Sequence, residues 1–205
     1  MQLREVDAVI LAGGLGTRIR NEIPIGTPKC LANINGRPFL AILMDHLLQV
    51  PFRSFTFCLG YGAEEVSLFL SRTYRVSWLR EPTPLGTGGA LRYVMRASSV
   101  MLPSLSNPFV VMNSDTYFGD LDFHGIMVEH ERGRQLITSA KYDDKFVGVF
   151  AADWRMKDFL EWEHREKFDM ADLPLHAHSK ILKVNTPFLD IGTPEGLAQA
   201  RMRFK

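Results

Sequence analysis

The residues with the most chemistry in them lie between Val9 and Lys29. Val9-Ile10-Leu11-Ala12-Gly13-Gly14-Leu15-Gly16-Thr17-Arg18 runs from an apolar stretch into a glycine loop ending in one cation, and Pro28-Lys29 brings a second. Lacking Cβ atoms, Gly13, Gly14 and Gly16 let backbone N–H groups come close to anionic oxygens and allow φ > 0 where the loop must curl. Arg18 and Lys29 add charge to the same anion. The pattern reads as a triphosphate site. It fits neither of the commoner phosphate loops: a G-x-G-x-x-G fingerprint begun at Gly14 would need glycine where Ile19 stands, and no Gly-Lys-Ser/Thr follows. A tight turn between a buried strand and a helix would account for the glycines, but not for Arg18 and Lys29 converging on them.

Something must hold that loop still, and the apolar pattern says what. Strand-like runs at Val6 to Ala12 and Phe55 to Leu59 alternate with amphipathic stretches at Phe39 to Val50 and Ala63 to Arg72. Further on, Arg75 to Leu79 and Phe109 to Met112 read as strands, and Gly88 to Ala97 and Leu121 to Arg132 as helices. Continuous apolar strands imply burial on both faces, the habit of parallel sheets covered by helices. The fold class is therefore α/β: a Rossmann-like, open, mixed but mostly parallel sheet sandwiched by helices. In such sheets ligands lie at the carboxyl ends of the strands, where both Gly13 and Asp115 fall.

Composition sets the bounds. At 205 residues and 46% hydrophobic, the chain has apolar material for one filled core, so residues 1–205 are expected to form a single domain. Its 24 Lys+Arg are scattered and matched by 23 Asp+Glu, which argues against nucleic acid as a partner. No segment approaches the ~18 consecutive apolar residues of a membrane span, so a soluble, cytoplasmic protein is expected, with no membrane partner. Cys30 and Cys58 lack C-x-x-C spacing and read as inert thiols. His176-x-His178, beside Lys180, reads as solvated side chains rather than a metal site. Trp154, Phe159 and Trp162 leave two readings open, a homodimer surface or a core-facing helix.

The glycine loop with Pro28-Lys29 resembles the signature of the sugar-1-phosphate nucleotidyltransferases, which join a nucleoside triphosphate to a sugar 1-phosphate. Three further segments agree, in the family's order: Glu81-Pro82-Thr83-Pro84-Leu85-Gly86-Thr87-Gly88-Gly89-Ala90, Asn113-Ser114-Asp115-Thr116-Tyr117-Phe118 and Phe188-Leu189-Asp190-Ile191-Gly192-Thr193-Pro194-Glu195. The wording of the last two resembles the D-glycero-D-manno-heptose 1-phosphate guanylyltransferase branch. The resemblance implies a nucleotidyltransferase-type fold and Mg²⁺ as cofactor, with Asp115 and Asp190 as its ligands. An Asx-turn at Asp115 and a helix cap at Asp190 are the structural alternatives.

By the same resemblance the nucleotide is bound by Leu11, Ala12, Gly13, Gly14, Gly16, Thr17 and Arg18 on one side and by Pro84, Gly86 and Thr87 on the other. Arg18 is assigned to the β- and γ-phosphates, and Lys29 to the α-phosphate or the incoming sugar phosphate; these two are the catalytic cations. Gly148 is expected at the sugar; Tyr117, two residues past Asp115, is expected there too, with a place in the core as the structural alternative. The implied substrates are GTP and a heptose 1-phosphate, feeding lipopolysaccharide, capsule or another glycan.

The pattern breaks at one place. Where the family carries a Glu-Lys hairpin and then Asn-Ala-Gly, this chain has an abbreviated segment around 141–150, with Gly148 at the glycine and Phe146 in the asparagine's place. Glu166-Lys167 follows the amphipathic stretch that begins near Trp154 and is not equated with the missing pair. The sugar pocket is then either shallow or built from other residues such as Asp143, Lys145 or Arg155. A cytidylyl- or uridylyltransferase for another phosphorylated sugar or alcohol, or a silent nucleotide-sugar binding module, remain as alternatives.

Overall fold

Asp7–Ala12 (β1) is buried along its whole length, the burial expected of a strand covered on both faces. The computed structural model, which describes residues 2–98, 104–175 and 178–205, places β1 inside a seven-stranded sheet. The chain then forms a small ladder of β2 (Asn33–Ile34) and β3 (Arg37–Pro38), followed by α1 (Phe39–Leu47), β4 (Ser54–Leu59), α2 (Ala63–Thr73), β5 (Ser77–Arg80), α3 (Gly86–Ser98) and β6 (Phe109–Asn113). After β7 (Thr116–Tyr117) and α4 (Phe123–Gly133) comes a hairpin of β8 (Ile137–Tyr142) and β9 (Lys145–Ala152). The chain closes with α5 (Met156–Trp162), β10 (Ser179–Lys183), β11 (Leu189–Asp190) and α6 (Pro194–Arg203).

The sheet order is β10-β8-β9-β6-β1-β4-β5. Strands β5, β4, β1 and β6 run parallel, β9 runs antiparallel to β6 and β8, and β10 is parallel to β8. The sheet is thus mixed and mostly parallel. Alternation along β1 splits the core: Ala8, Ile10 and Ala12 pack with α1, α2, α4 and α6, whereas Val9 and Leu11 pack with α3 and α5. Because β4 and β6 flank β1 on opposite sides, the loops leaving β1 and β6 diverge and open a crevice at their carboxyl ends.

Several boundaries differ from the sequence reading for local reasons. The first helix stops at Leu47 rather than Val50, because Pro51 disfavours helical backbone at the residue before it. Strands β8 and β10 carry Thr, Ser and Lys instead of a continuous apolar run, so they give no strong signal; β10 lies on the sheet edge. Among the described residues no helix is long and apolar enough to cross a membrane.

One buried charge pins the start of β1. The Asp7 carboxylate, 2% exposed, accepts from Arg53 Nε at 2.8 Å, Arg53 Nη2, Ser54 Oγ at 2.8 Å and Ser106 N at 2.7 Å. Removing the charge while keeping the shape weakens four bonds at once. Asp7→Asn is expected to cost about 2 kcal/mol of folding stability, measured by urea unfolding.

Candidate active site

The loop after β1 has the conformation its glycines allow. Gly16 sits at φ 60°, ψ 30°, in the left-handed region, and opens a short turn over Thr17–Ile19. Lys29 reaches back across it: a Cβ on Gly14 would lie 3.4 Å from Lys29 Nζ, and the same ammonium pairs with Asp115 Oδ2. The loop's own lysine is therefore shared with the acid at the end of β6. A cleft of about 310 Å³ opens here, lined by Leu11, Ala12, Gly13, Gly14 and Thr17, by Pro84, Gly86 and Thr87, and by Lys29 and Asp115. Gly16 and Arg18 lie outside that lining, and the Arg18 side chain is 62% exposed.

Asp190 arrives through a separate two-strand ladder. In β11 it pairs with Thr116 of β7, and Ile191 N donates to Asp115 O at 2.9 Å, which locks the two acids side by side. A Cβ placed on Gly192 would lie 2.8 Å from Asp190 Oδ1, 3.0 Å from Asp115 Oδ2 and 2.9 Å from Arg18 Nη2. Two carboxylates and a guanidinium thus bracket one point. Burial pushes the Asp190 carboxyl up from its ordinary value, and the neighbouring Asp115 charge pushes it the same way. The helix-cap alternative goes to another residue: Thr193 Oγ1 accepts from Gly196 N at 3.1 Å at the start of α6, while Asp190 Oδ1 accepts from Gly192 N at 2.7 Å.

The expected sugar-side residues separate. Tyr117 turns away from the cleft, its ring 4.8 Å from that of His46 and 4.9 Å from that of Phe204, with the Arg203 guanidinium over it. Its aromatic bulk packs on the α1–α6 side of the core, as the core alternative expects. Gly148 sits at φ 79°, where a Cβ would lie 2.8 Å from Asn113 Nδ2, so it needs to be glycine for close packing at the end of β6. Arg155 lies at the opposite end of the sheet, because the end of β9 pairs with the beginning of β6; it is bound to Asp153 and Arg134 O.

Trp154 and Phe159 pack on the core while Trp162 is 84% exposed. His176 lies outside the described residues, and His178 precedes β10 and stacks on Phe159. Cys30 and Cys58 are buried and free; burial pushes the Cys30 thiol up to about 12 and the Cys58 thiol upward as well, so both are protonated at neutral pH.

Residues 8–183 fit the profile of the MobA-like NTP transferase domain. The chain belongs to that family. It is 28% identical over 130 residues to the D-glycero-alpha-D-manno-heptose 1-phosphate guanylyltransferase of Campylobacter jejuni, covering 62% of this chain and 55% of that protein. It is 30% identical over 163 residues to the enzyme of the same name from Aneurinibacillus thermoaerophilus, covering 76% and 67%. The crystal structure of HddC from Yersinia pseudotuberculosis superposes with a TM-score of 0.77 at 26% identity, covering 98% of this chain and 100% of that one; a second structure of HddC is complexed with GMP-PN.

Within this NTP transferase fold, two parts of the cleft wall are residues to which the sequence alone assigned no role. Glu81, 8% exposed, accepts from Leu85 N at 3.1 Å and presses its carboxylate against Gly13, bracing the glycine loop against the turn that opens α3. Burial raises its carboxyl above the ordinary glutamate range. The second part is the segment after α5, which carries Lys167 and Asp169 into the lining. Glu166-Lys167 has no motif spacing to betray this; only the long-range contact with α3 reveals it.

Proposed function

We propose that the chain is a Mg²⁺-dependent guanylyltransferase that transfers GMP from GTP to a sugar 1-phosphate, a heptose 1-phosphate by preference, releasing pyrophosphate. The observation that carries this reading is the convergence of Asp115 and Asp190 on one point beside Arg18, over a glycine loop already spanned by Lys29. The end-to-end likeness to HddC, crystallised with GMP-PN, supports the nucleotide.

The donor set fits the metal. Mg²⁺ takes one or two carboxylates, fills its remaining positions with water and substrate phosphate oxygens, and prefers hard oxygen ligands. Among the described residues there is no group of three or more His, Cys, Asp or Glu to form an all-protein cage. Asp115 and Asp190 would hold Mg²⁺, whose charge would offset the repulsion between two anionic substrates.

The chain's own residues then have distinct tasks. A sugar phosphate oxygen attacks the α-phosphorus of GTP; a new P–O bond forms, the bond to the β-bridging oxygen breaks, and its electron pair leaves on pyrophosphate. No protein nucleophile is required. Gly13, Gly14 and Gly16 offer backbone donors to the phosphates, with Leu11, Ala12 and Thr17 beside them. Arg18, solvent-facing, grips the β- and γ-phosphates with its planar fork, and Lys29 neutralises the α-phosphate or the attacking phosphate. Pro84, Gly86 and Thr87 hold the base. The β8–β9 hairpin runs past the end of β6 on the Asp115 side, since Met112 pairs with Val149, and it offers Lys145 toward the sugar phosphate.

The deciding experiment incubates the protein with Mg²⁺, each of GTP, ATP, CTP and UTP, and a set of sugar 1-phosphates. Pyrophosphate and a GDP-heptose are the expected products. Turnover with CTP or UTP but not GTP would overturn the guanylyl assignment.

A further inference from the structure

Phe168 is 3% exposed, with its ring against Gly88 and the Arg92 guanidinium 4.8 Å from the ring centroid. Side chains alternate along extended backbone, and Asp169 is extended at φ −98°, ψ 154°, so burying Phe168 turns its neighbours the other way. Both neighbours, Lys167 and Asp169, line the cleft.

This segment is a fixed wall. Phe168 N donates to Leu85 O at 2.9 Å, and Phe168 O accepts from Gly88 N at 3.0 Å and Gly89 N at 3.2 Å. Asp169 Oδ1 accepts from Thr87 N at 2.9 Å and from Thr87 Oγ1 at 3.1 Å, and Met170 N donates to the same hydroxyl at 2.9 Å. Arg92, buried on α3, donates to the carbonyls of Leu160, Glu163, Arg165 and Glu166. Strap and turn therefore form one surface, at the α3 side of the cleft.

Charge distinguishes its occupant. Lys29 is paired with Asp115, whereas among the described residues the Lys167 ammonium has no partner. Both contacts that the Asp169 carboxylate takes from Thr87 fall on Oδ1. A donor and an acceptor flanking one buried ring match the guanine edge, which pairs the O6 acceptor with N1–H and N2–H₂ donors; adenine puts an amino group where guanine has O6.

We propose that Lys167 and Asp169 are specificity-determining residues that read the guanine base, Lys167 donating to O6 and Asp169 accepting from the ring and amino N–H groups. The proposal rests on the reading that this cleft takes GTP. Calorimetric titration of GTP, ATP and inorganic pyrophosphate in the presence of Mg²⁺ tests it without recourse to turnover. Lys167→Met is expected to weaken GTP binding about tenfold and to leave ATP and pyrophosphate unchanged. Asp169→Asn, which keeps an oxygen for Thr87, is expected to lower the preference for GTP over ATP to a similar extent. Equal loss for all three ligands would put the ammonium on phosphate, and no loss would remove it from the site; either result overturns the proposal. Wild-type protein that fails to bind GTP would sink the functional reading as well, whereas GTP binding with an unaltered preference in both variants sinks this inference alone.

Discussion

Asp115→Asn is expected to lower turnover about a hundredfold or more while the thermal midpoint falls by no more than about 4 °C. Two opposing effects keep the fold nearly intact. Neutralising Asp115 removes the partner of the half-buried Lys29 ammonium, but it also removes the like charge that pushes the Asp190 carboxyl up. The catalytic side has no such compensation, because a neutral amide oxygen holds Mg²⁺ more weakly than a carboxylate and supplies no negative charge to the site. Steady-state kinetics alongside differential scanning calorimetry separate the two effects. Unchanged turnover would take Asp115 out of the site.

Gly192→Ala is expected to be as damaging to turnover and equally mild to the fold. Its methyl would enter the point that Asp190 Oδ1, Asp115 Oδ2 and Arg18 Nη2 surround at 2.8, 3.0 and 2.9 Å. The three polar groups sit on side chains that can swing aside, so the protein folds, yet the volume they enclose is lost. A loss of about a hundredfold in kcat, with retained GTP affinity by calorimetry, is the expected signature. Full activity in this variant would mean that the acids do their work elsewhere.

The features legible in the sequence were those in which a local pattern dictates the structure. Apolar β1 running into Gly13-Gly14 placed a loop at a strand's carboxyl end, and the structure puts it at the crevice. Asp115 and Asp190 each followed an apolar stretch, and the β7–β11 ladder brings them together, although nothing in their local sequence encodes that pairing. Tyr117 was ambiguous because an aromatic two residues past an acid fits a pocket or a core equally; only its long-range ring contacts with His46 and Phe204 show how it packs. The strap at 163–169 was invisible for the opposite reason. Its conformation comes from Arg92 and the α3 backbone rather than from any period or turn signal of its own. Gly86, expected at the nucleotide, and the following Gly88 and Gly89 are also the places where Phe168 and the Glu166 carbonyl come too close for any side chain.

That last contact constrains any attempt to re-engineer nucleotide choice by exchanging segments. A donor turn bearing side chains at positions 86, 88 or 89 would collide with the Phe168 ring and main chain, however well it suited another base. A workable chimera has to import both pieces as an interlocking unit, together with an arginine on the recipient helix to moor the second one.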